Sequence, residues 1–311
     1  MRIRIGARGS RLAVAQAMEV AGMLEKHYPG IAMDIVRIRT SGDRIDRDPW
    51  ILGEPGVFTK EIDLELLRGS IDLAVHSLKD VPTSIHEDLV IAAITPRISR
   101  REALIPGSMD SIEKIPSGSV IGTSSMRRIS HLLYHRRDIS VRRIRGNIDT
   151  RIGKIGSGID AIILAEAGLL RIGYRDYIAI KPEIITPQAG QGALAVVAKR
   201  ESQAARIASV LDDPISRFEA DIERGILRSI GAGCRAPLGV TAIHSGSSTR
   251  VILSMISPDY DSRLYIDEIF EGWNAREIAN DIMRKFESMG GYGLAREWAR
   301  KLEGGSIDGD L

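Results

Sequence analysis

The chain has one cysteine in 311 residues. That count excludes an intramolecular disulfide and any metal site built from several thiolates. Aromatic residues are scarce, at 5%, which leaves few platforms for stacking nucleobases. No charge sign dominates either. Lys and Arg number 43 against 41 acids, for a formal net charge of +2. A general nucleic-acid binder is therefore not expected, and any basic site must come from local clustering. No run of about 18 uncharged apolar residues is present, so no membrane span is expected. The N-terminus, Met1-Arg2-Ile3-Arg4-Ile5-Gly6, alternates charged and apolar residues and lacks the apolar core of a secretory signal. The lone thiol fits a reducing compartment. A soluble, cytoplasmic protein is expected. The six histidines show no metal-type spacing with Cys234, and no metal is expected.

What is present suffices for a globular fold of two or three domains, with 43% apolar residues. The first third alternates strands and helices. Residues 3–5 read as a strand. Ser10 is placed to cap a helix whose apolar face holds Leu12, Ala13, Gln16, Ala17, Val20 and Leu24. Residues 31–38 form an Ile/Val-rich strand. Residues 40–56 are rich in charge, Gly, Asp and Pro, as in a surface loop that closes over a site. Thr59 is placed to cap the next helix, which Gly69 stops. Strands at 71–75 and 89–94 complete this part.

The pattern restarts after Pro96, with strands at 120–121, 140–144 and 161–164 separated by helices. Residues 186–192 form a Gly/Gln/Pro crossover, and a strand at 193–197 returns the chain to the first domain. A helix at 218–230, strands near Val240, 251–255 and 264–269, and helices at 275–289 and 293–302 make a third domain, with 304–311 as a tail. The fold class is α/β. Two doubly connected α/β lobes form a hinged pair (1–95 with 190–211, then 96–189), and a smaller α+β domain covers 212–311.

In parallel sheets, ligands bind beyond the carboxyl ends of the strands. That rule singles out Arg8-Gly9-Ser10, Ser41-Gly42-Asp43 and the turn from His76 to Asp80. It also selects the residues after the strands of the second lobe. Between Ser124 and Arg151 lie eight arginines and no lysine, opposed only by Asp138 and Asp149. Such selective use of arginine suits planar, bidentate recognition of carboxylate or phosphate. Arg127, Arg128 and Arg145 follow strand ends, whereas Arg136, Arg137 and Arg142 lie in connecting segments and read as surface. Lys79-Asp80 puts a cation beside a carboxylate at the lip of the first lobe. This is a loop ion pair or a site for stabilising a cation and moving a proton. Cys234 sits in Gly231-Ala232-Gly233-Cys234-Arg235-Ala236-Pro237-Leu238-Gly239, a tight loop. The residues alone leave this thiol two readings, a packed cysteine or one presented for chemistry.

These stretches, in their order, resemble the porphobilinogen deaminase (hydroxymethylbilane synthase) family along nearly the whole chain. The resemblance rests on Arg8-Gly9-Ser10 with Leu12-Ala13 and Gln16, Phe58-Thr59-Lys60-Glu61, and Asp72 through Pro82. It continues in Gly122-Thr123-Ser124-Ser125 with Arg127-Arg128, in Arg145-Gly146-Asn147 with Thr150-Arg151, and in Leu164-Ala165 with Ala167-Gly168-Leu169. Gln191-Gly192-Ala193 and Gly233-Cys234 with Pro237-Leu238-Gly239 complete it. The resemblance implies a fold whose first two domains are like a periplasmic-type binding protein. It implies a dipyrromethane primer joined by a thioether to Cys234. Four porphobilinogen molecules lose ammonia and add head to tail, and hydrolysis releases linear hydroxymethylbilane for tetrapyrrole synthesis. It further implies that Arg8, Arg127, Arg128, Arg145, Arg151 and Arg171 hold pyrrole carboxylates. Ser10, Thr123, Ser124, Ser125, Gly146 and Asn147 add hydroxyl and backbone contacts, and Lys79 binds cofactor or substrate carboxylates. Asp80 stabilises the electron-poor azafulvenium and the charged pyrrole, and assists proton transfer. A monomer is expected by the same likeness.

Two departures stand out. Gly53-Glu54-Pro55-Gly56 lacks the lysine the family often has there, and Ala7 and Arg11 replace its common threonine and proline. The rival reading is a non-enzymatic two-lobed protein that binds a dicarboxylate. It has no use for a third domain presenting a thiol, nor for Asp80.

Overall fold

The computed structural model describes residues 1–39, 59–106, 108, 111–231 and 237–303. The expected lid at 40–56, the tail at 304–311 and Cys234 lie outside the described residues. The chain divides into two compact units, Met1–Ile98 with Gly190–Arg217, and Ser99–Ala189 with Phe218–Leu311.

In chain order, the first unit begins with β1 (Arg2–Arg8), α1 (Arg11–His27), β2 (Ala32–Ile38), α2 (Lys60–Arg68), β3 (Leu73–Ser77) and β4 (Leu89–Ile94). The second unit opens with β5 (Glu102–Ile105), β6 (Val120–Gly122), α3 (Met126–His135), β7 (Ser140–Arg142) and α4 (Ile148–Ile152). It continues through β8 (Ala161–Ala165), α5 (Glu166–Ile172) and β9 (Ile178–Ile180). The chain then adds β10 (Leu194–Lys199) and α6 (Gln203–Ala208) to the first unit. After α7 (Pro214–Ile230) come β11 (Leu238–Ser245), β12 (Ser248–Ile256), β13 (Arg263–Glu271), α8 (Ala275–Ser288) and α9 (Gly291–Glu303).

The first sheet has the order β2-β1-β3-β10-β4 and the second β7-β6-β8-β5-β9. The plans match. In each, four strands run in one direction, and the fourth in order, β10 or β5, runs antiparallel between its neighbours. The return strand expected near 193–197 is β10. A third sheet, β11-β12-β13, is antiparallel throughout. The expected α/β class, with two sheet-and-helix domains and a small C-terminal sheet domain, is what the structure has. Four short elements were not legible in the sequence. They are β5, α5, β9 and α6, of four, seven, three and six residues, too short for a periodic signal to develop.

Local chemistry sets the helix ends. The Ser10 hydroxyl accepts from the Ala13 amide at 3.3 Å, which starts α1 as expected. Thr59 precedes α2 but makes no side-chain cap, and it is buried instead. Gly69 ends α2 in the left-handed conformation, φ 77°. One core packs α1 against Ile3, Ile5, Leu73, Val75 and Val196 of the first sheet. In the second unit a single continuous core joins Leu104, Ile121 and Ile163 to Val251, Leu253 and Trp298 of the third sheet and α9. The opposite face of the second sheet has its own small core around Ile144, Ile162 and Leu169.

The third sheet is tied to α7 along β11. Along β11, the Ala242 amide donates to Glu223 Oε1 and the His244 amide to Glu219 Oε1, both at 2.9 Å. The Val240 amide donates to the Pro187 carbonyl at 2.8 Å. Glu219 and Glu223 lie one turn apart on α7 and are buried. The exposed-edge liability of β11 is thereby removed, and α7 is tied to that strand. Gly231 leaves α7 at φ +108°, and a Cβ on Gly239 would meet the Thr186 carbonyl oxygen at 2.4 Å. The Gly239→Ala variant is expected to lose about 1–3 kcal/mol of stability through overpacking against this carbonyl. A urea midpoint equal to that of the parent would show that the contact yields freely.

Candidate active site

In the first unit the carboxyl ends of β1, β3 and β4 meet the incoming end of antiparallel β10, where Leu194 pairs with Ser77. Arg8 is half-buried at the end of β1. Gln16 Nε2 donates to Ser77 Oγ at 2.8 Å, linking α1 to the end of β3. A 3₁₀ turn then spans Leu78–Asp80. It is pinned by the fully buried Leu78 side chain and by the Leu78 amide, which donates to the Ala193 carbonyl at 3.0 Å. Gly190, at φ +75°, presses against this turn, where a Cβ would lie 3.0 Å from the Lys79 amide nitrogen. Lys79 Nζ donates to Gln191 Oε1 at 3.2 Å. Asp80 is exposed, and its carboxylate has no hydrogen bond or ion pair among the described residues. The loop ion pair weighed in the sequence is not formed, because Lys79 turns to Gln191.

In the second unit the carboxyl ends of β6, β7 and β8 present the remaining expected residues. Thr123 is buried, and its amide donates to the Arg142 carbonyl at 3.0 Å. Ser124 Oγ donates to the Ile144 carbonyl at 2.7 Å, so its proton is held by the backbone. The Ser125 amide reaches Thr123 Oγ1 at 3.4 Å. Asn147 accepts from the Thr150 amide and hydroxyl, both at 2.9 Å, which starts α4. Gly146 is required at φ +109°, since a Cβ there would lie 2.6 Å from Thr150 Cγ2. Arg151 Nε donates to the Gly146 carbonyl at 2.8 Å. Arg145 is half-buried, and its guanidinium has no partner among the described residues. Arg171 sits in the last turn of α5, half-buried.

Arg127 and Arg128 are placed differently. Both lie in the first turn of α3 and are buried, at 3% and 6% exposure, on the fully buried Glu102. Arg127 Nη2 donates to Glu102 Oε1, and Arg128 Nη2 donates to Oε2 at 2.8 Å. Arg127 Nη1 also donates to the Thr186 carbonyl at 2.6 Å, and Arg128 Nη1 to the Ile163 carbonyl at 3.2 Å. Burial pushes the Arg127 guanidinium below its ordinary value, against the pull of Glu102. Two guanidiniums share one carboxylate, which leaves one formal positive charge in excess. Arg128 Nε is buried without a partner among the described residues. Sequence reasoning missed Glu102 because β5, which begins with it, had no legible pattern.

A second buried network backs this cluster. Arg263 Nε donates to Ser254 Oγ at 2.8 Å, Ser254 Oγ lies 3.0 Å from His131 Nε2, and His131 Nδ1 lies 2.7 Å from the Arg127 carbonyl. A carbonyl only accepts, so Nδ1 carries the proton and Nε2 takes the serine hydroxyl. Burial, reinforced by Arg127 and Arg263, pushes the imidazole down to about 3. Other arginines of the cluster are structural. Arg136 donates to the Ile112, Glu113 and Ile115 carbonyls and grips Asp138.

Two predictions follow from the buried groups. The Glu102→Gln variant strands two buried cations and should lose about 3–5 kcal/mol of stability, whereas Arg145→Leu should stay within about 0.5 kcal/mol. Equal urea midpoints for the two would refute this division. His131 is depressed when folded, so its contribution is present above about pH 6.5 and is lost as pH falls toward 3. Across that window one proton taken up on unfolding adds a slope of about 1.4 kcal/mol per pH unit. Parent and His131→Gln denaturation curves at pH 7.5, 6 and 5 should diverge by that slope. Parallel pH dependences would show that His131 is not neutral in the fold.

Residues 3–207 match the family model described as "Porphobilinogen deaminase, dipyromethane cofactor binding domain". The match ends before Cys234. The described residues fit a group bearing several carboxylates, for they offer an unpartnered Arg145, a buried unpartnered Arg128 Nε and a net positive cluster. Among the described residues no group of three His, Cys, Asp or Glu is placed to hold a metal ion, and no helix is long and apolar enough to cross a membrane. The probable porphobilinogen deaminase of Nitrosopumilus maritimus is 36% identical over 306 residues, 97% of this chain and 98% of that protein. The porphobilinogen deaminase of Rubrobacter xylanophilus is 41% identical over 262 residues, 83% and 85% of the two chains. That of Natranaerobius thermophilus is 44% identical over 248 residues, 78% and 80% of the two chains. Among solved structures, the periplasmic VFT2 domain of Bordetella pertussis BvgS aligns at 12% identity with a TM-score of 0.37, over 67% of this chain and 85% of that one. That likeness decides nothing. Conversely, the sequence relatives span nearly the full length, and the chain belongs to the porphobilinogen deaminase family of transferases.

Proposed function

We propose that the protein is a hydroxymethylbilane synthase. It joins four porphobilinogen molecules with loss of ammonia and releases linear hydroxymethylbilane for tetrapyrrole biosynthesis in the cytoplasm. The observation that carries the reading is Asp80, an exposed carboxylate without a partner among the described residues, held beside Lys79 on a turn that Leu78 and Gly190 lock in place. A dipyrromethane joined to Cys234 supplies the growing end to which new pyrroles are added. Asp80 faces the positive charge that develops on porphobilinogen when ammonia leaves and when the ring attacks. A fixed carboxylate lowers the energy of both cations and can take or return a proton at its oxygens. Arg145 and Lys79 neutralise the acetate and propionate groups that would otherwise be costly to remove from water. Arg8, Arg151 and Arg171, with Ser10, Thr123, Ser125, Gly146 and Asn147, complete the anion contacts. Arg127 contributes through the excess charge it shares with Arg128 on Glu102, and Arg128 offers its Nε. Ser124 acts through its backbone, since its hydroxyl is bound to Ile144.

We read the chain as three domains, 1–95 with 190–211, 96–189 and 212–311. Each holds its own sheet, which supports that division. The protein acts as a monomer on a small molecule, with no nucleic acid or metal.

Intact-protein mass spectrometry tests the attachment. Protein from a host that makes porphobilinogen should carry the excess mass of two linked pyrroles, and Cys234→Ser should lack it. A folded, unmodified parent protein would sink the cofactor assignment. Asp80→Asn should keep that mass while turnover falls by about 10²–10⁴-fold, the usual contribution of a placed acid–base group. Parent-like rates in this variant would remove Asp80 from the chemistry.

A further inference from the structure

Resting on that functional reading, we propose that Gln191 is a positioning residue for Lys79, fixing the direction in which the ammonium meets the carboxylates of porphobilinogen. Gln191 stands out in the sequence only as part of Gln191-Gly192-Ala193. In the structure it is fully buried, at 0% exposure. It lies just before antiparallel β10, whose pairing of Leu194 with Ser77 brings it to the turn that holds Lys79 and Asp80.

Its side-chain oxygen and its backbone carbonyl are each hydrogen-bonded. Lys79 Nζ is 3.2 Å from Gln191 Oε1. An ammonium only donates, so the amide oxygen is the group that accepts. The Gln191 carbonyl accepts in turn from Arg97 Nη1 at 2.9 Å. On either side Gly190 and Gly192 take φ +75° and +100°. Gly190 lies so close to Leu78 and Lys79 that a Cβ would meet Leu78 Cγ at 2.9 Å and the Lys79 amide nitrogen at 3.0 Å. The backbone on both sides of the contact is therefore fixed, and the amide is presented to the lysine at a set angle.

A lysine ammonium is a compact charge on a flexible stem, and it costs side-chain entropy to hold it in one place. A neutral acceptor does so without cancelling the charge. A carboxylate at the same position would form an ion pair and weaken the pull on a dianionic substrate. At this contact the acceptor is an amide and not an acid, and Asp80, the next residue, is not that lysine's partner.

The test is a double-mutant cycle in the steady-state kinetics of the holoenzyme, with porphobilinogen as substrate. It uses Gln191→Met, close in volume, together with Lys79→Ala and the double variant. Gln191→Met should raise KM roughly tenfold, the loss of one charge-assisted hydrogen bond, with a smaller effect on kcat. In the Lys79→Ala background the same substitution should change KM by less than about twofold, because its effect runs through the lysine. Gln191→Glu keeps the shape and the acceptor, and it should raise KM with a shallower salt dependence, because a paired lysine leaves less attraction for salt to screen. It carries the test if Gln191→Met fails to fold. Additive effects of Gln191 and Lys79 substitutions, or an unchanged KM in Gln191→Glu, overturn this proposal alone. A parent protein that consumes no porphobilinogen overturns the functional reading and this proposal with it.

Discussion

Glu102 can leave water only because two guanidiniums meet it, one on each carboxylate oxygen. Isolated, that buried acid would cost several kcal/mol. Paired with Arg127 and Arg128, it sets the start of α3, and through the Arg127 carbonyl it fixes the proton of His131. His131 in turn meets Ser254 of β12. One buried charge cluster thus links the second sheet, its first helix and the third sheet. It also divides the arginines by task. Those that neutralise Glu102 are scaffold with a residual positive charge, and Arg145, without a partner among the described residues, stands apart from them.

The two larger sheets solve the same problem in parallel ways. In each, an antiparallel strand enters beside the carboxyl ends of parallel strands. In the second unit that strand begins with Glu102, which holds Arg127 and Arg128. In the first, the residues leading into it include Gln191, which holds Lys79. The holding group matches the need. An acid fixes cations that form the framework, and a neutral amide meets the lysine of the first unit.

Much of the site was legible because its residues are local. Lys79 and Asp80 are adjacent in sequence. Thr123, Ser124 and Ser125 are consecutive, and Arg145, Gly146 and Asn147 share one turn. Their motifs survive as strings, and in the structure these strings follow the ends of β3, β6 and β7, where the strand-end rule looks for ligands. The Ser10 cap and the return strand near Ala193 were legible for the same reason. Thr59 as a cap was not, because burial in the unit took its side chain inward. The pairing of Lys79 with Asp80 failed since a distant amide offered the lysine a better-placed acceptor.

By itself the sequence determined the alternation of strands and helices, the family, and which residue types gather at strand ends. These depend on periodicity and on short motifs, which are properties of neighbours along the chain. Only the tertiary structure decided which charges face one another. Arg127 and Glu102 are 25 residues apart, Lys79 and Gln191 are 112 apart, and His131 and Ser254 are 123 apart. The energy of a charge depends on its distance to a partner and on its burial, and neither quantity is written in the order of residues.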